Sequence, residues 1–294
     1  MRVDKSPELG GLLARCTFPP PGSHIDCAVS GGADSLALLV LAVEAGCEVT
    51  AWHVDHGLRQ GSDKEAEVVR SAAHHFDAAF EARRAPVEPG PNLEARARAA
   101  RRAVLPDGAA TGHTADDQAE TVLLNLLRGS GLDGLAGMRA GSVHPILGLR
   151  RAETHKLCAE LGLVPVEDPT NSDESLWRNA IRHSVLPRLD TLAERDVSAV
   201  IARQAHLLAD DADLLDSLSM TLDPSDVVAL VEAPVPLARR ALRRWLRPHL
   251  GGHPPSGAAL ERVLAVARGE ASATEVVEGV RVERSAGRLS IARA

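Results

Sequence analysis

The sequence predicts an open α/β fold, a parallel sheet with helices on both faces, followed by a smaller, mainly helical C-terminal domain ending in short strands. Three observations predict it. Short apolar runs alternate with helix-like segments from residue 25 to residue 127. That rhythm fades beyond about residue 140. From about residue 197 the pattern is helical until a period-2 stretch from Glu275 to Ile291. Strands that alternate with helices give parallel pairing, with the crossover helices covering both faces. In such sheets ligands sit at the carboxyl ends of the strands.

Taken in order, residues 19–22 (Pro-Pro-Pro-Gly) close a short leader. Residues 25–29 form an apolar strand, 34–44 a helix and 48–54 a second strand. A charged amphipathic helix over 63–76 precedes a weak strand at 78–82. After the loop at 86–91 a helix starts at Leu93; 109–111 is a short strand and 114–127 a helix. Residues 165–180 are polar and turn-rich, and the final period-2 stretch turns at Ser285-Ala286-Gly287. The boundary falls near residues 190–200, giving domains 1–195 and 196–294.

Composition narrows the function. The longest apolar run, Leu36 to Val43, is too short for a bilayer, and no apolar segment opens the chain, so the expectation is a cytoplasmic protein without a membrane partner. Cys16, Cys27, Cys47 and Cys158 form no Cys-x-x-Cys pair, which argues against a zinc knuckle, an iron–sulfur cluster or paired-thiol sulfur chemistry. A net charge of −7 is awkward for a nucleic-acid binder. However, of 33 basic residues only Lys5, Lys64 and Lys156 are lysines, and clustered arginines bind phosphate bidentately.

The first strand runs into Ser30-Gly31-Gly32-Ala33-Asp34-Ser35, directly before a helix. Two glycines let backbone N–H groups approach an anion, and the helix N-terminus adds its unpaired donors and positive dipole end. A carboxylate at Asp34 beside phosphates makes sense if it holds magnesium. With no Gly-Lys-Ser/Thr in the chain, this is not a Walker loop. Gly129-Ser130-Gly131-Leu132-Asp133-Gly134 spells the dinucleotide fingerprint but follows a helix, so it is set aside as a helix end and loop.

Two further clusters lie at strand ends. His53-Val54-Asp55-His56-Gly57-Leu58-Arg59 ends the second strand and puts His56 and Arg59 near the nucleotide; a metal site from His53, Asp55 and His56 is the weaker reading. In Thr111-Gly112-His113-Thr114-Ala115-Asp116-Asp117-Gln118-Ala119-Glu120-Thr121, His113, Asp117 and Glu120 share one helical face. Acids in a first turn also cap the helix dipole, but this cluster exceeds what capping needs and could hold a cationic amine or take its proton.

Together these segments resemble the tRNA(Ile)-lysidine synthetase family of pyrophosphate-loop ATPases over roughly the first two-thirds of the chain. The resemblance rests on the loop at 30–35, Asp55-His56-Gly57-Leu58-Arg59, Asn92-x-Glu94-x-x-Ala97-Arg98-x-x-Arg101, and His113-x-x-Asp116-Asp117-Gln118-Ala119-Glu120-Thr121. It continues through Arg128-Gly129-x-Gly131, Pro145-Ile146-Leu147, Arg151-x-Glu153 and Asp168-x-x-Asn171-x-Asp173-x-x-x-x-Arg178-Asn179-x-x-Arg182. It implies a ligase that uses ATP and magnesium to adenylate C2 of the first anticodon cytidine of a CAU-bearing isoleucine tRNA. The side-chain amine of free lysine then displaces AMP to give lysidine. On that resemblance Ser30, Gly31, Gly32, Ala33, Asp34, Ser35, His56 and Arg59 bind the nucleotide, and Asp34 the metal. Arg98 or Arg101 neutralises phosphate charge, His113 lines the adenylated base, Asp117 and Glu120 hold lysine's cationic groups, and Arg178 and Arg182 reach RNA or adenylate phosphate.

The chain departs from the family at Arg102, where a tyrosine is usual, and at His144, where an arginine is usual; its C-terminal part is of the compact form. A homodimer is left open. Another pyrophosphate-loop enzyme, such as a thiolase or amidoligase, and a non-catalytic ATP sensor are the alternatives. In the C-terminal domain, residues 237–247 place Arg239, Arg243 and Arg247 on one face flanked by Arg240 and Arg244, with Ala238, Ala241, Leu242, Trp245 and Leu246 opposite. A local positive stripe suits RNA, so Arg240 and Arg244 are its expected contacts.

Overall fold

The computed structural model describes residues 7–55, 57, 62–88, 90, 93–166 and 173–293. It divides into two compact units, Met1–Leu207 and Leu208–Ala294. The division falls inside a long helix, whereas the sequence pattern places it just ahead of that helix.

The first unit opens with helix α1 (Pro7–Leu13), then β1 (His24–Ala28), α2 (Ala33–Glu44), β2 (Glu48–Asp55), α3 (Ser62–His75) and β3 (Ala79–Arg84). Next come α4 (Leu93–Val104), β4 (Ala110–Thr111), α5 (Ala115–Leu127) and the four-residue α6 (Leu132–Leu135). It continues with α7 (Arg151–Glu160), α8 (Trp177–Ala180), a π-helical turn (Ile181–Val185) and α9 (Leu186–Ala193). Helix α10 (Val197–Ser219) carries the chain into the second unit.

The four strands form one parallel sheet in the order β3-β2-β1-β4. In register, Ile25 pairs with Val49 and Cys27 with both Ala51 and Ala110. Because β2 and β4 flank β1 on opposite sides, the connections leaving β1 and β4 diverge, and the crevice between them is where such a sheet binds ligands. Helix α2 is apolar nearly all round, with Leu36, Leu38, Leu39 and Leu41 fully buried, as a helix must be when the sheet and other helices enclose it. Its neighbours in the core are Val69, Ala72 and Ala73 of α3 and Leu157 and Cys158 of α7.

The leader differs from its expectation. Residues 7–13 are helical, and Leu9 enters the main core with Leu12 and Leu13 packed against it. Helix α7 is likewise an addition: it lies beyond the point where the strand–helix rhythm fades, yet it packs on α2. The glycine-rich segment after α5 begins as the expected helix end, but residues 132–135, expected as loop, form the short helix α6. Gly129 takes φ +74° and Asn125 Nδ2 donates to Gly134 O at 2.8 Å.

The second unit contains α11 (Val227–Glu232), α12 (Val235–Leu246), a 3-10 turn (Arg247–Leu250), α13 (Gly257–Arg268) and strands β5 (Ala273–Val277), β6 (Val280–Ser285) and β7 (Arg288–Arg293). The strands form an antiparallel meander in sequence order. It has a turn at Gly279 as well as the expected one at Ala286-Gly287. A register shift between Glu275 and Val277 hides the first turn from a simple period-2 reading. Ala238, Leu242 and Leu246 of α12 meet Leu260, Val263 and Leu264 of α13 and Val280, Val282 and Leu289 of the meander in a separate core.

The enclosure of α2 generates a stability expectation. Leu38→Ala removes a fully buried side chain from a helix that cannot move to fill the gap. It should cost about 2–5 kcal/mol, read as a lower urea midpoint, while Leu126→Ala at the exposed end of α5 should change little.

Candidate active site

The loop after β1 is held open by its own serines. Ser35 Oγ donates to Gly32 O at 2.8 Å and accepts from Ser30 N at 3.2 Å, with Ser30 Oγ also 3.2 Å away. Gly32 caps α2 in an extended conformation, and Gly31 at φ +94° turns the chain so that its carbonyl accepts from Val166 N at 2.9 Å. A side chain at Gly31 would be strained in φ and would press on Val166 Cγ2, 3.2 Å from the added Cβ. Ser35 N and Leu36 N donate to Gly32 O at 3.1 and 3.0 Å, and the N–H groups of Ala33 and Asp34, at the very start of α2, have no acceptor within the helix. Asp34 stands in this first turn. Thr154 of α7 donates to Asp34 Oδ1, and Arg151 Nε lies 3.5 Å from Oδ2. Burial pushes the Asp34 carboxyl above its usual range, with the Thr154 hydrogen bond opposing.

The connection after β4 is pressed against this loop. A Cβ on Gly112 would lie 2.7 Å from Asp34 O, so only glycine allows the approach. Beyond it Thr114 caps α5: Asp117 Oδ2 accepts from Thr114 N at 2.8 Å and from Thr114 Oγ1 at 3.0 Å. The face shared by Asp117 and Glu120 then meets three arginines. Arg151 Nη2 bridges Asp117 Oδ1 (2.9 Å) and Glu120 Oε1 (3.1 Å). Arg178 bridges the same pair, Nη2 to Asp117 Oδ1 at 2.9 Å and Nε to Glu120 Oε2 at 2.8 Å. Arg182 binds Glu120 bidentately at 2.7 and 3.1 Å. Glu120 is 1% exposed. Burial raises the Asp117 carboxyl, but Arg151 and Arg178 outweigh it and hold Asp117 below the usual range.

Asp117 and Glu120, expected to hold lysine's cationic groups, meet arginines in this structure. A carboxylate offers about four acceptor positions, and in both residues all are taken, by guanidinium groups and by Thr114. An ammonium ion would have to displace an arginine. The arrangement instead fixes three guanidinium groups beside the loop.

Of the other expected residues, His113 is half-buried next to Thr111 and His144. Arg98 on α4 is near enough that its charge depresses both histidines. Arg178 and Arg182 belong to the arginine cluster. His56, Arg59, Asn92, Asp168 and Asn171 lie outside the described residues. His53, in the weaker metal reading, is buried with Nδ1 3.0 Å from Val29 O. Among the described residues no three His, Cys, Asp or Glu side chains gather as a metal site. The residues missed are Arg151 and Thr154. The signal was present in Arg151-x-Glu153, because Glu153 caps a helix start through Arg150 N at 2.8 Å.

In the second unit Arg240 and Arg244 do not form an open RNA stripe. Arg240 is paired with Asp216, and Arg244 donates to Ser219 Oγ and Ser219 O, each at 3.1 Å, binding the end of α10. The spacing placed them correctly beside the apolar side of α12, and these bonds tie both to the end of α10.

Comparison with known proteins decides the family. Residues 11–189 match the PP-loop domain family and residues 226–290 the TilS substrate binding domain. A tRNA(Ile)-lysidine synthase of Nocardia farcinica is 42% identical over 245 residues, 78% of this chain and 77% of that protein. One of Cutibacterium acnes is 38% identical over 284 residues, 90% and 89%. The chain belongs to the tRNA(Ile)-lysidine synthase family. It is therefore an ATP-binding ligase family member with a PP-loop. The fold alone is shared with the U34-tRNA thiolase NcsA from Methanococcus maripaludis, described with its [4Fe-4S] cluster, at TM-score 0.54 and 18% identity over 69% of this chain and 77% of that one. Burial pushes the Cys27 thiol up to about 12 and the Cys158 thiol to about 11, and all four cysteines are free. No described helix is long and apolar enough to cross a membrane.

The acidic pair makes the site sensitive to low pH. Asp116, bound by Arg150 Nη2 at 2.8 Å, and Asp117 both have carboxyls held below the usual value by arginines, so these ion pairs stabilise the fold above about pH 4 and are lost as pH falls through the folded values. Acid unfolding followed by circular dichroism should show stability dropping below about pH 4, with a shallower drop in Asp117→Asn. An identical slope in the variant would mean the pairing carries no stability.

Proposed function

We propose that this chain ligates lysine to C2 of the cytidine at the first anticodon position of CAU-bearing isoleucine tRNA, through an adenylated tRNA, releasing pyrophosphate and AMP. The observation that carries the reading is the close seating of the 30–35 loop against the Gly112 turn, which sets an anion-binding helix N-terminus beside three fixed guanidinium groups. Adenylation places negative charge on a phosphate and a leaving pyrophosphate, and preorganised donors aimed at that charge are the main catalytic aid available.

In this reading Ser30, Gly31, Gly32, Ala33 and Ser35 hold phosphate oxygens through N–H and hydroxyl groups. Asp34 fits a magnesium ion: its buried carboxylate gains from a cation, and magnesium usually takes one or two carboxylates with phosphates and water completing its shell. Bound there, the ion would neutralise pyrophosphate charge. Arg98, Arg151, Arg178 and Arg182 face the transferring phosphate or the RNA backbone, and His113 lines the base. His56 and Arg59 complete the nucleotide side. Asp117 and Glu120 serve by orienting the arginines, and Arg240 and Arg244 by fixing the helices of the tRNA-binding unit. The location is the cytoplasm, where ATP, lysine and tRNA meet.

Incubation with labelled lysine, ATP, magnesium and a CAU-anticodon tRNA should place label in the RNA, and Asp34→Asn should abolish this while leaving the thermal midpoint unchanged or higher, since a buried charge is removed. No label with the intact protein would overturn the reading. The orienting role gives a second expectation. Glu120→Gln loosens all three arginines, so pyrophosphate release and lysine transfer should both fall, by about 10²-fold or more. A rise in the lysine requirement alone would instead return Glu120 to direct lysine contact.

A further inference from the structure

At the end of β4, two imidazoles and a hydroxyl share one small space. Thr111 Oγ1 lies 2.7 Å from His113 Nδ1 and 2.8 Å from His144 Nδ1, and the two Nδ1 atoms are 3.3 Å apart. The rings stand edge to face, 82° apart. The group is pinned: Thr111 N donates to Val143 O at 2.9 Å, and the Gly141–His144 turn closes on itself by a β-bridge. Neither histidine has this geometry by accident of a flexible loop, because both backbone segments are tied to the same strand end.

The hydroxyl has one proton to give, and its acceptors are the two imidazole nitrogens at 2.7 and 2.8 Å and, farther off, Val143 O at 3.1 Å. When it donates to His144 Nδ1, it accepts from His113 Nδ1–H, and His113 Nε2 is then a bare base; the opposite arrangement exchanges the tautomers. Four charged or titratable groups face His113, namely Asp117, His144, Arg178 and Arg98, while Arg98 and Arg102 face His144. Burial, with the arginines and against Asp117, pulls His113 down to about 4, and His144 is lowered by burial and its two arginines. Both rings are therefore neutral at pH 7, and an imidazolium at His113 is short-lived. A proton reaching it must move on.

We propose that Thr111 and His144 form a relay that carries away from His113 the proton lost by the attacking lysine amine, an inference that rests on the ligase reading above. The nitrogen lone pair forms the new bond to C2, the C2–O bond to the adenylyl group breaks with its electrons leaving on AMP, and the amine N–H bond breaks as its proton joins His113 Nε2. His113 Nδ1–H passes its proton to Thr111 Oγ1, the threonine O–H proton passes to His144 Nδ1, and His144 Nε2–H releases one to water. Thr111 keeps one proton throughout and both rings end neutral, with tautomers exchanged. His144 is half-buried, which gives the released proton a route to solvent. Thr111 and His144 touch no reacting atom; they are positioning residues for His113.

The test uses the full chain with tRNA adenylated in a first step and lysine added in a second. Thr111→Val removes the hydroxyl at constant shape, and His144→Gln keeps an acceptor for Thr111 but cannot pass a proton. Each should slow transfer at saturating lysine about tenfold or more, leave the lysine KM within about twofold, lower pyrophosphate release less than about threefold and shrink the solvent deuterium isotope effect. Thr111→Ser should restore the rate to within about threefold of the original. Equal loss in both half-reactions, an unaltered isotope effect, or a serine variant as slow as the valine one would overturn the relay. Imidazole 15N shifts supply an arm that needs no turnover. His113 and His144 tautomers should be coupled in the intact protein and in Thr111→Ser, and uncoupled in Thr111→Val. Coupling without any lysine transfer would sink the ligase reading and keep the hydrogen-bond relay; unchanged shifts in Thr111→Val would sink the relay itself.

Discussion

Everything around the site depends on one carboxylate with almost no access to water. An ionised Glu120 inside the unit is tolerable only because N–H donors of Arg151, Arg178 and Arg182 fill its lone pairs. The dependence is mutual. Three guanidinium groups crowded together repel one another unless Glu120 and Asp117 stand between them. Buried ion pairs of this kind contribute little net stability against an apolar alternative, but they define position tightly. The cluster thus ties α7, α8 and the π-helical turn to α5. A π-turn closes its hydrogen bonds over five residues instead of four and is frequent at functional positions. Here it directly follows the helix that carries Arg178 and contains Arg182, so two arginines four residues apart reach the same side chain.

The sheet and its first helices were legible because their signals are local. Period-2 runs at β1 and β2, the apolar α2 and the charged face of α3 each report burial within a dozen residues. The phosphate loop was legible for the same reason: glycines, a serine pair and a helix start are contiguous. What stayed hidden needs distant partners. Asp117 and Glu120 look in sequence like acids available to a cation; the arginines that occupy them are 31 to 62 positions away. Helix α7 was missed because its buried face is narrow, only Thr154, Leu157 and Cys158, so its pattern is mostly polar. The leader helix α1 was missed because two glycines in seven residues argue against helix, and only packing of Leu9, Leu12 and Leu13 on the core makes it hold.

The second unit repeats the lesson at α12. Spacing identified the buried side of the helix, since Ala238, Ala241, Leu242 and Leu246 are all enclosed. It could not say what the arginines beside that side would meet. Arg244 ends on the carbonyl of Ser219, at the C-terminus of α10, where unpaired carbonyls welcome a cation. Periodicity assigns faces, and tertiary structure assigns partners.

The internal use of arginine has a consequence for how a polyanion arrives. Long-range attraction depends on net charge, which is −7, while guanidinium groups paired with carboxylates cancel within a few ångströms. Far from the surface an RNA therefore meets a weakly repulsive field. Association of this kind lacks electrostatic steering: its on-rate should sit near the unsteered range and be insensitive to added salt or even hastened by it, leaving discrimination among tRNAs to the lifetime of the complex rather than to the rate of encounter.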